Sequence, residues 1–532
     1  MKQKILIFIA ITFMFFYSNA QTTPPAIQWQ KSLGGNKVDK AYSIQQTNDG
    51  GYIVAGYSIS HDGDITVYHD TTYYDYWVVK IDTIGNIKWQ KSLGGTNSDV
   101  AKSIQQTNDG GYIVAGYSMS NDGDVTSHHY NSAYDNSDYW VVKLDSVGNI
   151  QWQKSLGGTE DDRASSIQQT NDGGYIVAGS SYSNDGDVTG HHGTISYSDC
   201  WVVKLDTSGN IQWQKSLGGT EDDNASSIQQ TNDGGYIVVC SSNSNGGDVT
   251  GNHGSRDYWV VKLDTVGNIK WQKSIGGTNG DYAYSIQQTN DGGYIVTGIT
   301  GSNDGDVSGH HYSAYGNWDY WVVKLDTVGN IKWQKCLGGS DNDYAYSVKQ
   351  TNDGGYIIAG SGSTNDGDIT GNHGSSDYWI VKLDTAGNIQ WQKSLGGSEN
   401  DEAYSIQQTL DGGYIIAGLS SSNDGDVFGN HDTSGLTCDY WIVKLSPTLG
   451  IEEHIILSNV SIYPNPTNSN FTIKLPQNTR YITITNSLGQ LVEKRIINNQ
   501  TEQNFEIKNN GMYFVQITTD KEIITKKVIV NK

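Results

Sequence analysis

The chain has 532 residues, rich in Gly (64), Tyr (34) and Trp (15) and poor in Pro (6), with very few stretches of helical period. That length points to more than one domain, and the Gly and aromatic content points to an all-β class built from tight turns and short strands. Net charge is −23, and residues 21–450 hold 23 basic against 50 acidic side chains, or −27, which argues against nucleic acid and anionic lipid as partners and favours cations or neutral sugars.

In chain order, residues 1–20 carry Lys2 and Lys4, an apolar run from Ile5 to Phe16, and then Tyr17-Ser-Asn-Ala20. This is the order of a secretory signal peptide, so the mature chain is expected to begin near Gln21. An apolar run of that length is short of the about 20 residues that span a bilayer, and no later segment comes close, so the protein is not expected to be integral to a membrane.

From residue 27 a repeat takes over. Trp-Gln-Lys recurs at Trp29, Trp89, Trp152, Trp213, Trp271, Trp333 and Trp391, at spacings of 58 to 63 residues. A second Trp keeps step at Trp77, Trp140, Trp201, Trp259, Trp321, Trp379 and Trp441. One unit reads Ala101–Thr107, Asn-Asp-Gly, Gly111–Gly116, a long polar loop, Tyr139–Asp145, Ser-Val-Gly-Asn, and Ile150–Leu156. Each run is short, β-branched or aromatic, and bounded by Asn, Asp and Gly, so each predicts a strand, lettered A to D below, with positive-φ residues at the hairpins.

Four strands per unit make one propeller blade. The chain opens on a lone D strand, Ile27 to Leu33, and its seventh unit stops after strand C, Tyr440 to Ser446. A seven-bladed β-propeller over residues 21–447 follows, closed one strand plus three, because the first segment completes the last blade and removes its open edge. An open solenoid is the alternative, although solenoids usually need distinct capping units. The Asp145-x-x-Gly148-x-x-x-Trp152 hairpin resembles the tryptophan-docking turn of quinoprotein-type propellers, and the phase of closure is similar to that of WD-repeat proteins. The Asp-to-Gly spacing is one residue shorter than in the quinoprotein pattern, so that resemblance implies the blade and no cofactor.

Residues 448–459 read as a linker, and residues 460–532 as a small β-sandwich of alternating short strands. Tyr463-Pro464-Asn465-Pro466, Ile484-Thr-Asn486-Ser-Leu488-Gly489-Gln, Gly511-Met-Tyr513-Phe-Val and the terminal Lys526-Lys527 resemble, in order and spacing, the C-terminal sorting domain of the type IX secretion system of Bacteroidetes. The resemblance implies passage across the outer membrane by the type IX machinery. It also implies frequent removal of the tail and transfer of the mature protein to surface lipopolysaccharide, hence a secreted or cell-surface location.

The B–C loops run to about 18 to 23 residues, a length usually functional or disordered, and are expected to share one face with the D–A links. They carry Asp pairs around a Gly: Asp122 and Asp124, Asp185 and Asp187, Asp304 and Asp306, Asp366 and Asp368, Asp424 and Asp426. Such pairs can hold Ca²⁺ with backbone carbonyls, or simply build Asx-turns, and the spacing departs from the Asp-x-Asp-x-Asp-Gly loop. Eleven of the twelve histidines lie in the same loops, where repetition with the blade predicts packing or turn capping in preference to a metal centre. Tyr130, Tyr134, Tyr312, Tyr315 and Trp318 are candidates for stacking on sugars or peptides. Arg163 and Arg256, in loops or links of the same face, are expected to pair with a neighbouring Asp. Cys200, Cys240, Cys336 and Cys438 occupy unrelated repeat positions and are expected to be isolated thiols.

No catalytic constellation stands out, because candidate acids such as Asp109 and Asp145 recur in hairpins that need them for geometry. The sequence therefore predicts a binding or adhesion platform, with a polysaccharide hydrolase or lyase on the loop face, or a structural surface spacer, as alternatives.

Overall fold

The computed structural model describes residues 23–69, 72–129, 136–311, 316–432, 435–447, 460–475, 479–486, 490–497, 500–519 and 523–531. The segments expected to be a signal peptide (1–20) and a linker (448–459), together with Gly489, Tyr130, Tyr134, Tyr312 and Tyr315, lie outside these residues.

Every described residue before 447 that is in regular structure belongs to one of seven four-stranded antiparallel sheets. Blade 1 runs A Asp39–Gln46, B Tyr52–Ser58, C Asp75–Ile81 and D Ile87–Leu93, and blade 2 runs A Asp99–Gln106, B Tyr112–Ser118, C Asp138–Leu144 and D Ile150–Leu156. Blade 7 is A Asp401–Gln408, B Tyr414–Ser420 and C Asp439–Leu445, and its outer strand is Ile27–Leu33, paired from Ile27 with Leu445 to Leu33 with Tyr440. The A strands of successive blades pack side by side, the last against the first, so the ring closes around a central channel.

Strands C are buried along their whole length and strands B along all of it but Tyr117 and Ser180, which is why they read as continuous apolar runs where D alternates. Two kinds of contact stitch blade to blade, each made at six of the seven interfaces. The strand-C tyrosine hydroxyl donates to the next blade's strand-C tryptophan carbonyl, from Tyr76 to Trp140 at 2.9 Å, and the ring is completed from Tyr440 to Trp77 at 2.9 Å. The strand-D tryptophan docks on the next C–D turn: a Cβ at Gly148, whose φ is +85°, would lie 2.8 Å from the Trp89 ring. Only glycine serves there, on both counts.

The expectation of four isolated thiols is corrected at one of these interfaces. The Tyr hydroxyl of one blade normally faces a strand-B glycine of the next, as Tyr76 faces Gly116 and Tyr139 faces Gly179. Between blades 3 and 4 both partners change together: Cys200 stands for the tyrosine and Cys240 for the glycine, and the two are joined as a disulfide with Cα atoms 6.8 Å apart. Their sequence positions look unrelated because facing positions lie on different strands of different blades. Cys336 and Cys438 are buried free thiols.

The C-terminal unit, from Gly450 on, is a compact body of its own. A three-stranded sheet (Ser461–Tyr463, Asn470–Lys474, Glu502–Glu506) and a four-stranded sheet (Leu491–Ile496, Thr479–Asn486, Gly511–Thr519, Ile523–Val530) share one core that includes Phe471, Ile482, Phe505, Val515 and Val528. This is a sandwich.

Candidate functional site

The Asp pairs of the B–C loops meet the D–A links, as expected from the strand order. The outer Asp accepts from the link: Asp122 from the Thr96 amide (2.8 Å) and hydroxyl (2.9 Å), Asp185 and Asp304 from the Thr159 and Thr278 amides (2.8 Å each), Asp366 from Ser340 (2.9 Å) and Asp424 from Ser398 (2.7 Å). The inner Asp faces the histidine of the preceding blade. Asp124 lies 3.4 Å from His69 Nε2, Asp187 3.8 Å from His129, Asp306 3.8 Å from His253 and Asp368 3.7 Å from His311, while the Asp426 amide donates to Gly396 O at 2.8 Å. Among the described residues, no group of three or more His, Cys, Asp or Glu lies close enough to hold a metal ion.

Each bridging histidine also binds the Asp that opens strand C of its own blade, as His69 Nδ1 binds Asp75 at 3.1 Å and His431 Nδ1 binds Asp439 at 2.6 Å. His431 reaches Asp64 of blade 1 with its other nitrogen at 3.8 Å, so histidines bridge blade to blade at six of the seven interfaces, the pair of blades 6 and 7 excepted. The Asp124 and Asp75 carboxylates raise His69 to about 10. Beneath them, burial pushes Asp99, Asp162, Asp281 and Asp343, the residues at the start of strand A, up to about 7.

Both shifts make the folded chain hold more protons than the unfolded one, the aspartates from pH 3.8 to about 7 and His69 from 6.5 to about 10. Stability must then fall as pH rises through those windows. The melting temperature by differential scanning calorimetry is expected to be lower at pH 9 than at pH 5. A flat or rising profile would refute this account.

Strand-A acids and hairpin acids have other structural partners. Against the upward push of burial, the Thr107 hydroxyl and the Lys143 ammonium hold Asp109 at about 2. Lys143 itself is buried in strand C and reaches Asp109 at 2.9 Å, a pairing made in all seven blades. Asp145 accepts from the Val147 amide at 3.0 Å and the Asn149 amide at 2.8 Å, which are turn contacts. Arg163 pairs with Asp161 at 3.3 Å and Arg256 with Asp222 at 3.5 Å, although Arg163 lies within strand A and not in a link.

The copies also differ along the channel. The fourth residue of strand A is Tyr42, Lys102, Ser165, Ser226, Tyr284, Tyr346 and Tyr404 in blades 1 to 7. In all seven blades a bulge falls at this position, where the register with strand B slips. Four tyrosines on successive blades form an arc, with ring centroids 5.2 Å apart from Tyr284 to Tyr346, 4.8 Å from Tyr346 to Tyr404 and 5.0 Å from Tyr404 to Tyr42. The Lys102 ammonium sits 3.6 Å above the Tyr42 ring, and burial lowers it to about 8. The Tyr404 hydroxyl donates to Glu402 at 2.5 Å. Trp318, a sequence candidate, packs edge-on to Tyr282 at 5.3 Å on the same strand-A rim. The remaining sector, Ser165 and Ser226, is small and polar. The result is half an aromatic wall and half an open hydroxyl-lined one, all half-buried. Motif search misses this arc, but aligning the seven repeats and reading that one column would find it.

In the C-terminal unit, several of the residues that carry the resemblance make contacts within the sandwich. Tyr463 donates to Glu502 at 3.2 Å, and Asn465, between Pro464 and Pro466, bonds Lys527 O at 2.7 Å and the Ile529 amide at 2.9 Å. Asn486 accepts from Gln490 at 3.0 Å, Tyr513 donates to Asn509 O at 2.9 Å, Gly511 opens its strand, and Lys526 and Lys527 lie in the last one.

Residues 461–531 match the family described as "Secretion system C-terminal sorting domain". The chain thus carries a type IX sorting domain, which directs export and secretion or cell-surface attachment through that machinery. Among curated proteins, the chain is 24% identical over 409 residues to the regulatory protein FlaEY of Caulobacter vibrioides, covering 70% of this chain and 41% of that protein. It is 29% identical over 208 residues to the ulvan lyase NLR42 of Nonlabens ulvanivorans, covering 34% and 38%. The chain therefore spans only 41% and 38% of the length of these relatives. Similar solved structures include the Pan2 WD40 domain of Neurospora crassa (11% identity, TM-score 0.42, 79% of this chain and 95% of that one) and puromycin hydrolase (10% identity, TM-score 0.41, 86% and 62%). No helix among the described residues is long and apolar enough to cross a membrane.

Proposed function

We propose that residues 21–447, behind a signal peptide at 1–20 and joined by a linker at 448–459 to the sorting domain at 460–532, are an exported binding and adhesion platform that holds a saccharide at the mouth of the central channel. The observation that carries this reading is the tyrosine arc at Tyr284, Tyr346, Tyr404 and Tyr42, faced by Ser165 and Ser226. Tyrosine presents an apolar ring face with a polar edge, which suits a sugar's C–H face and hydroxyls, and no stacking within a blade requires it, since blades 3 and 4 manage with serine. Anchorage to surface lipopolysaccharide after export belongs to the same proposal.

The test is a glycan array with the full exported chain and with Tyr346→Ser/Tyr404→Ser, a change to the residue blades 3 and 4 already carry. Loss of both rings is expected to weaken binding at least tenfold, about 1.4 kcal/mol. Unchanged binding by the variant, or no glycan bound by the wild type, refutes the reading. Running the screen in EDTA tests calcium at the Asp pairs, for which loss of binding is the supporting result.

A second reading, a lyase or hydrolase at the same mouth, is favoured by the Glu402–Tyr404 hydrogen bond and by Lys102 on the far side of Tyr42, whose ammonium burial lowers to about 8. Its signature in the same experiment is shortening of the bound glycan.

A further inference from the structure

Below the tyrosine arc, strand A carries a ring of glutamines with one exception. Six of seven blades place Gln at the seventh strand-A position, and each Oε1 accepts the next blade's strand-A amide: Gln45 from Gln106 (2.6 Å), Gln105 from Gln169 (2.7 Å), Gln168 from Gln230 (2.6 Å), Gln229 from Gln288 (2.7 Å), Gln287 from Gln350 (2.6 Å) and Gln407 from Gln46 (2.9 Å). Blade 6 has Lys349 instead. An ammonium cannot accept, so the Gln408 amide of blade 7 loses its acceptor and the channel gains a donor at the same point.

Among the described residues, Lys349 has no carboxylate or hydrogen-bond partner, and burial alone holds its ammonium below its ordinary value. Two donors without a protein acceptor, side by side on a half-buried channel wall, suit an anionic oxygen, which accepts from both and balances the ammonium charge. The rest of the channel agrees in sign. Apart from the buried Asp that opens each one, the seven A strands carry Lys40, Lys102, Lys349 and Arg163, the last paired with Asp161, against Glu402 alone. The wall of the channel is cationic inside a propeller of −27.

We infer that the channel holds an anion-binding site at Lys349 and the Gln408 amide, which takes the carboxylate or sulfate of an acidic sugar whose ring lies on the tyrosine arc. The identity of the sugar rests on the binding reading above; the anion site itself does not. Tyr346 and Lys349 are three residues apart on one strand, about 10 Å, so one short oligosaccharide spans both.

The test uses the full exported chain and Lys349→Gln, which restores the sevenfold glutamine ring and with it the bond to Gln408. The probe is inorganic sulfate, followed by equilibrium dialysis at low ionic strength, and trigalacturonate against its methyl ester, followed by calorimetry. The expected result is one sulfate per chain, at least tenfold weaker in K349Q, whose melting temperature is equal or higher. Trigalacturonate should bind at least tenfold tighter than the ester in the wild type and equally in K349Q. Equal sulfate binding by both proteins, or none by the wild type, overturns the site. Sulfate bound at Lys349 with no discrimination between acid and ester keeps the site and overturns its link to a sugar. Ester and acid bound alike without any sulfate binding overturns this inference and leaves the tyrosine-arc reading standing.

Discussion

Removal of residues 21–34 is expected to abolish the monomeric propeller. The lost strand is the outer strand of blade 7, paired from Ile27–Leu445 to Leu33–Tyr440, with Gln30 accepting from Trp441 Nε1 at 2.8 Å. Its Trp29 docks on Gly85 of blade 1, so the same strand ties the last blade to the first. Without it, the Tyr440–Leu445 edge presents unpaired amides and carbonyls beside a largely apolar strand, the arrangement that templates association between chains. Size-exclusion chromatography with light scattering should show aggregates in place of monomer. A permuted chain, with residues 27–34 moved behind Leu445 through the Asp-Thr-Val-Gly-Asn turn that joins C to D in blade 4, makes the same strand contacts and is expected to restore the monomer. A deletion variant that stays monomeric with an unchanged melting temperature would show that closure does not depend on this strand.

At the blade 3 to blade 4 interface, Cys200→Tyr and Cys240→Gly are each expected to destabilise the propeller, while the two together should come within about 1 kcal/mol of the wild type. A tyrosine at 200 would aim its hydroxyl at the Cys240 side chain. At equivalent interfaces a mere Cβ on the glycine lies 2.9 Å from the Tyr76 hydroxyl and 2.7 Å from that of Tyr258. Overpacking of this kind costs about 1 to 3 kcal/mol. A glycine at 240 leaves Cys200 beside a void and removes a cross-link worth about 2 to 4 kcal/mol. The double variant recreates the Tyr and Gly pair of the other six interfaces, so the coupling should be strongly favourable. Thermal melts measure it, and strictly additive losses would refute it. Thiol titration of the denatured, unreduced protein should find two free thiols, those of Cys336 and Cys438.

Much of this was legible in the sequence because it is local. Asn-Asp-Gly-Gly and Asp-x-x-Gly-Asn demand tight hairpins, the runs between them are strand-length, and the phase of the repeat places the odd strand in the last blade. Other parts were less legible. The histidines read only as packing or capping residues, yet six of them, His69, His129, His192, His253, His311 and His431, each lie between two aspartates from adjacent blades. The hairpin acids read as turn residues, yet Asp109 also neutralises the buried Lys143. In each case the second partner lies in another strand or another blade, where no local pattern registers it.

By itself the sequence determined that this is a seven-bladed propeller closed by its own first strand, and that its tail is a sorting domain, since strand periodicity, turn chemistry and contiguous motifs are properties of short segments. Tertiary structure alone decided which of the repeat's differences meet. Tyr42, Tyr284, Tyr346 and Tyr404, Cys200 with Cys240, and Lys349 with the Gln408 amide are neighbours only after the ring has closed. The physical reason is that curvature around the channel brings together equivalent or facing positions of consecutive units, and that adjacency is set by the packing of blade on blade.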